Sequence, residues 1–78
     1  MNREEIQNAI YLKLTESGIN EIPARYIAMR LQDMTIKSVL NVTKIDDINF
    51  QVYTDVNKYS LTLHSQLGIP DAEIRIAN

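Results

Sequence analysis

The sequence predicts an α+β fold: two or three N-terminal helices packed on a small antiparallel β-sheet, made of a hairpin plus a short C-terminal strand. Apolar residues recur with a helical period before Met34 and alternate with a period of two after Ile48. The two patterns are grouped along the chain and not interleaved, which favours helices laid on one face of an antiparallel sheet.

The first helix is expected over about residues 3–17. Asn2 is placed to cap it, Glu5 stands three residues on as in a capping box, and Glu4 and Glu5 suit the positive helix end. Ile6, Ile10 and Leu14, with Ala9 beside them, make one apolar face. Gly18 is suited to the left-handed closing conformation, and Ile19 then falls where a Schellman turn brings an apolar residue back to Leu14.

Asn20-Glu21-Ile22-Pro23 opens the second helix, where a proline in the first turn loses a donor that would have been unpaired anyway. Ala24, Ile27, Ala28, Leu31 and Met34 form its inward stripe, with Arg25, Met29 and Arg30 off it. Residues 35–45 admit two readings. The favoured one is a short third helix capped by Thr35, with Ile36, Val39 and Leu40 inward. The rival is a strand from Val39 to Ile45 turning at Asp46-Asp47, because the segment is rich in β-branched residues.

Ile48, Phe50 and Val52 alternate with Asn49, Gln51 and Tyr53 as a half-buried strand. A turn over Asp55-Val56-Asn57-Lys58 leads to its partner, in which Tyr59, Leu61 and Leu63 alternate with Ser60, Thr62 and His64. Residues 67–71 read as a loop, and Ala72, Ile74 and Ile76 alternate with Glu73 and Arg75 as a last strand. Ile27, Leu31, Phe50 and Leu61 are the expected centre of the core.

At 78 residues the chain has room for one domain, residues 1–78. Without cysteine and with a single histidine it has neither a disulfide framework nor the ligands of a structural zinc. A core of this size supplies only about 3–5 kcal/mol, so close packing or self-association has to add to it. No stretch approaches the roughly 18 apolar residues of a membrane span, and the N-terminus lacks the apolar core of a secretory signal. A cytoplasmic protein is therefore expected, in which the sequon Asn41-Val42-Thr43 carries no glycan.

An enzyme is not expected, nor any cofactor or metal. There is no cysteine nucleophile, and Gly18 and Gly68 are too isolated to build a phosphate-cradling loop. His64 is the only imidazole, and no nucleophile-elbow motif surrounds Ser17, Ser38, Ser60 or Ser65. The acid pairs Glu4-Glu5 and Asp46-Asp47 are accounted for by a helix start and a turn. Asp55-Val56-Asn57 opens like a calcium loop, yet Ser60 stands where its glycine belongs and Gln66 where its closing acid belongs.

Two surfaces remain. On the outward face of the hairpin, Gln51, Tyr53, Ser60, Thr62 and His64 would lie together without a full charge, a strip suited to cover by another chain. The middle segment resembles the spacing of a helix-turn-helix, with the hairpin as a wing. Residues 21–45 carry four cations, Arg25, Arg30, Lys37 and Lys44, against two acids, a local +2 within a chain of net charge -2. In a third helix Lys37, Asn41 and Lys44 would share a reading face, with Arg25 and Arg30 on the phosphate backbone. The acidic remainder disfavours nucleic acid. The preferred reading is a non-catalytic protein-interaction module, an accessory or regulatory protein of phage or mobile-element type that binds a protein partner or itself. A winged helix-turn-helix regulator is the alternative.

Overall fold

The computed structural model describes residues 2–77. Two helices, α1 (Arg3–Glu16) and α2 (Glu21–Asp33), precede four strands, β1 (Val39–Lys44), β2 (Asn49–Thr54), β3 (Lys58–Leu63) and β4 (Ala72–Ile76). The strands pair antiparallel in chain order, β1-β2-β3-β4, so each meets its sequence neighbour. Helices and sheet enclose one core, with Ile10, Leu14, Ile27, Leu31, Phe50 and Leu61 at its centre.

α1 begins as expected, with the Asn2 side chain accepting the Glu5 N–H at 2.8 Å. It ends in a Schellman turn. Gly18 sits at φ 97°, its N–H reaches the Thr15 carbonyl at 3.0 Å, and the Ile19 N–H reaches that of Leu14 at 3.2 Å. Ile19 and Leu14 are both buried, so the closing apolar pair is in place. α2 buries Ala24, Ile27, Ala28 and Leu31, as its period predicts, together with Gln32. The Gln32 amide is satisfied by the Arg3 carbonyl at 2.6 Å and by Gln7 at 3.2 Å, which ties α2 to the start of α1.

The favoured third helix is absent from the described residues. Thr35 does not start a helix; it closes α2. It takes φ 64°, its N–H bonds the Gln32 carbonyl at 3.0 Å, and the Ile36 N–H bonds that of Leu31 at 3.1 Å. This is a second Schellman turn, with threonine in the position that glycine holds at Gly18. Ile36 is then buried, and the N–H groups of Lys37 and Ser38 both donate to Asp55 Oδ1 at 3.1 Å. That anchorage turns the chain into β1. The rival strand reading therefore holds, because β-branched residues pair along β2 where a helix would have crowded them.

The hairpin and C-terminal strand become a four-stranded meander. Asp46 holds the β1–β2 turn by accepting the Ile48 and Asn49 N–H groups at 3.0 and 2.8 Å. A register shift between Val39 and Asn41 makes a bulge at Leu40. At the other edge Arg30 Nη1 donates to the Ala72 carbonyl at 2.9 Å and to the Tyr26 hydroxyl at 3.1 Å, tying α2 to β4.

Candidate functional site

The alternation of β2 and β3 puts one face of the sheet against the helices and leaves the other open. Gln51 opposes Ser60, Asn49 opposes Thr62 and Tyr53 opposes Lys58 on the open face. Four of the five residues expected there, Gln51, Tyr53, Ser60 and Thr62, are thus brought together. His64 follows just past β3, with Nε2 3.3 Å from Glu73 Oε2. The expectation of a face without charge is corrected. Lys58 lies 5.2 Å from the Tyr53 ring, and the neighbouring β4 sets Glu73 opposite Thr62 and Arg75 opposite Ser60, themselves an ion pair.

The basic residues do not converge. Lys37 lies in the connection between α2 and β1. Asn41 opposes Tyr53 on the open face, while Lys44 opposes Phe50, lies on the other side of the sheet and pairs with Asp47 at 3.6 Å. Arg25 stacks 3.7 Å from the Tyr11 ring centroid and donates to Asn8 at 2.8 Å, and Arg30 is spent on Tyr26 and Ala72. The shared reading face expected of Lys37, Asn41 and Lys44 needed a helix that this segment does not form.

The two perturbed carboxylates are turn locks. Asp46 is held below its ordinary value by the Asn49 side-chain amide first and then by the Ile48 and Asn49 N–H groups. The Ser38 N–H does the same for Asp55, with a smaller contribution from that of Lys37. Among the described residues no group of three or more His, Asp or Glu side chains is placed to hold a metal, and no helix is long and apolar enough to cross a membrane.

A different surface carries exposed apolar groups. On the outside of α2, Ile22, Tyr26 and Met29 follow at i, i+4 and i+7, with Ile22 68% and Met29 44% exposed. With Tyr11, Arg25 and Pro70 they line a groove of about 520 Å³. A second depression, lined by Ile22, Pro23, Gly68 and Pro70 among others, connects it to the turn at residues 66–69. There Gln66 and Ile69 exchange backbone hydrogen bonds of 3.1 and 2.9 Å, while Leu67 and Gly68 take φ 54° and 76°. Positive φ at both central residues is the I′ signature of a two-residue hairpin. The turn holds Leu67 fully exposed, with Ile69 beside it at 68%.

Sequence reasoning missed this surface. It took one inward stripe from α2 and set Met29 aside, although Ile22, Tyr26 and Met29 already form a second stripe at helical spacing. It also read Leu67-Gly68 as plain loop. Comparison with protein-family models, with curated proteins and with solved structures gave no match for this chain.

Proposed function

We propose that the chain is a non-catalytic protein-interaction module, a small accessory protein that occupies a surface of another protein through the outer face of α2 and the 66–69 turn. The fully exposed Leu67 carries this reading. Burying such a side chain gains about 1.5–3 kcal/mol, and a leucine held in a left-handed turn where it touches nothing spends backbone energy for no internal return. The groove beside it combines Tyr11, Tyr26, Met29 and Arg25, the residue types enriched at protein interfaces. The partner that fits is a protein with an apolar cleft deep enough to accept the Leu67 tip.

The open sheet face is the weaker candidate, since Tyr53 is its one aromatic and is only 36% exposed, within a rim of Lys58, Glu73 and Arg75. The test is affinity capture from the producing cells, followed by titration of the captured partner against variants. Leu67→Asp and Met29→Lys should each weaken binding at least about tenfold, while the paired change Tyr53→Lys with Thr62→Glu leaves it unchanged. Binding that ignores Leu67→Asp and responds to the sheet pair overturns the assignment.

A further inference from the structure

The sheet has two open edges, and they differ. β1 is interrupted by the bulge at Leu40 and ends on Lys44, two devices that discourage edge-to-edge pairing. β4 pairs with β3 without a shift from Ala72 to Ile76. Its ladder is bracketed by His64 N–H to the Asp71 carbonyl at 2.9 Å and by Ala77 N–H to the Lys58 carbonyl at 2.8 Å. In an antiparallel ladder hydrogen-bonded and non-bonded pairs alternate, so residues 71, 73, 75 and 77 bond inward to β3. The N–H and C=O groups of Ala72, Ile74 and Ile76 therefore point out of the edge. Those of Ala72 are engaged, the N–H by Asp71 Oδ1 at 2.8 Å and the carbonyl by Arg30 at 2.9 Å. Those of Ile74 and Ile76 meet no partner among the described residues.

The strand Ala72-Glu73-Ile74-Arg75-Ile76 is complementary to itself when reversed. Paired antiparallel to a second copy about Ile74, it sets Glu73 of each copy opposite Arg75 of the other on the open face. On the helix side Ile74 meets Ile74, and Ile76, 62% exposed in the single chain, comes to lie opposite Ala72, which is already buried. The central pair fits this register: the outward Ile74 groups are those a hydrogen-bonded central pair requires, and each Ile76 N–H can reach the second lone pair of an Ala72 carbonyl, while the Ala72 N–H stays on Asp71 Oδ1. Centring on Glu73 or Arg75 instead would use outward-facing backbone groups just as well, but it would set Glu73 against Glu73 or Arg75 against Arg75, so the side-chain charges select the register about Ile74.

We propose that β4 is a self-association edge and that its partner is a second copy of this chain, joined about a two-fold axis into one continuous eight-stranded antiparallel sheet. Such an isologous contact extends the ladder and adds apolar burial to a small core. Its start at Ala72 adjoins the outer face of α2 through Arg30 and Tyr26, so the two readings are told apart by variants away from that junction, Leu67→Asp for the partner and Glu73→Arg for the dimer.

The test is a charge exchange followed by sedimentation velocity over a wide range of protein concentration. The unaltered chain should dimerise as concentration rises. Glu73→Arg and Arg75→Glu should each weaken self-association at least about tenfold, because each sets like charges opposite one another twice per dimer. An equimolar mixture of the two variants should restore the dimer as a heterodimer, and the chain carrying both changes should dimerise like the original. Restoration also shows that both variants are folded. Leu67→Asp should leave the dimer intact. A monomer at every concentration, a dimer indifferent to both single changes, or a mixture that fails to recover would each overturn the proposal.

Discussion

α1 and α2 leave their last turns through the same pair of backbone hydrogen bonds, one closed by Gly18 and the other by Thr35. At Gly18 a Cβ would meet no heavy atom within 4 Å, so glycine serves the dihedral and not the space. At Thr35 a β-branched residue holds φ 64°, a conformation that costs an L-residue roughly 1–2 kcal/mol. Contacts on either side compensate. Leu31 and Ile36 bracket the turn and are each 1% exposed, and Asp55 accepts the next two backbone N–H groups. The first turn is made by its own residues, whereas the second is imposed by what flanks it.

The largest expected effect tests that imposition. Leu31→Ala should cost about 2–5 kcal/mol, comparable with the whole stability of so small a domain, and leave the chain largely unfolded in urea titration. An unchanged midpoint would mean that Leu31 does not anchor the turn. At the other exit, Gly18→Val should lose about 1–2 kcal/mol through backbone strain alone, since its side chain has room. Gly18→Asn should lose less, because asparagine tolerates the left-handed region.

Thr35→Gly should have the opposite sign. Relief of about 1–2 kcal/mol of strain, less the roughly 0.4–1 kcal/mol that glycine adds to the freedom of the unfolded chain, predicts a net gain of up to about 1.5 kcal/mol. A loss by the same urea titration would show that the threonine side chain holds the turn, for instance through its Oγ1 at 2.6 Å from the Met34 carbonyl.

The smallest effect is read against pH. The Asp55 carboxyl is held below its ordinary 3.8 in the folded chain, chiefly by the Ser38 N–H, so its charged form favours folding. Its contribution is complete above the unfolded value and is lost as pH falls through the folded one. The difference in Tm between the unaltered chain and Asp55→Asn should therefore be constant near pH 6 and shrink below about pH 3.8. A difference that does not change with pH would remove the carboxylate from the α2 exit.

This contrast also explains where the sequence was legible. The Gly18 exit, the inward stripe of α2 and the alternation of β2 and β3 were readable because each depends on residues within a turn or a strand of one another. The open-face grouping of Gln51, Tyr53, Ser60 and Thr62 followed from the same alternation. For residues 35–45 the favoured helix loses to the rival strand because threonine after a helix resembles the cap of the next one, and nothing local reveals that it takes a positive φ. The surface of α2 and the 66–69 turn was overlooked for a related reason: a periodic pattern shows which residues can share a face, not whether anything covers that face.

Local periods, the Asn2 cap and the Gly18 turn thus sufficed to specify helices first and strands afterwards. Contacts remote in sequence decided the rest. Asp55 draws residues 37 and 38 toward β1 across 18 and 17 positions. Arg30 reaches Ala72 across 42, and β4 brings Glu73 and Arg75 onto a face that seemed uncharged. Closing such loops costs entropy that only the assembled core offsets, so no window of neighbouring residues records the outcome.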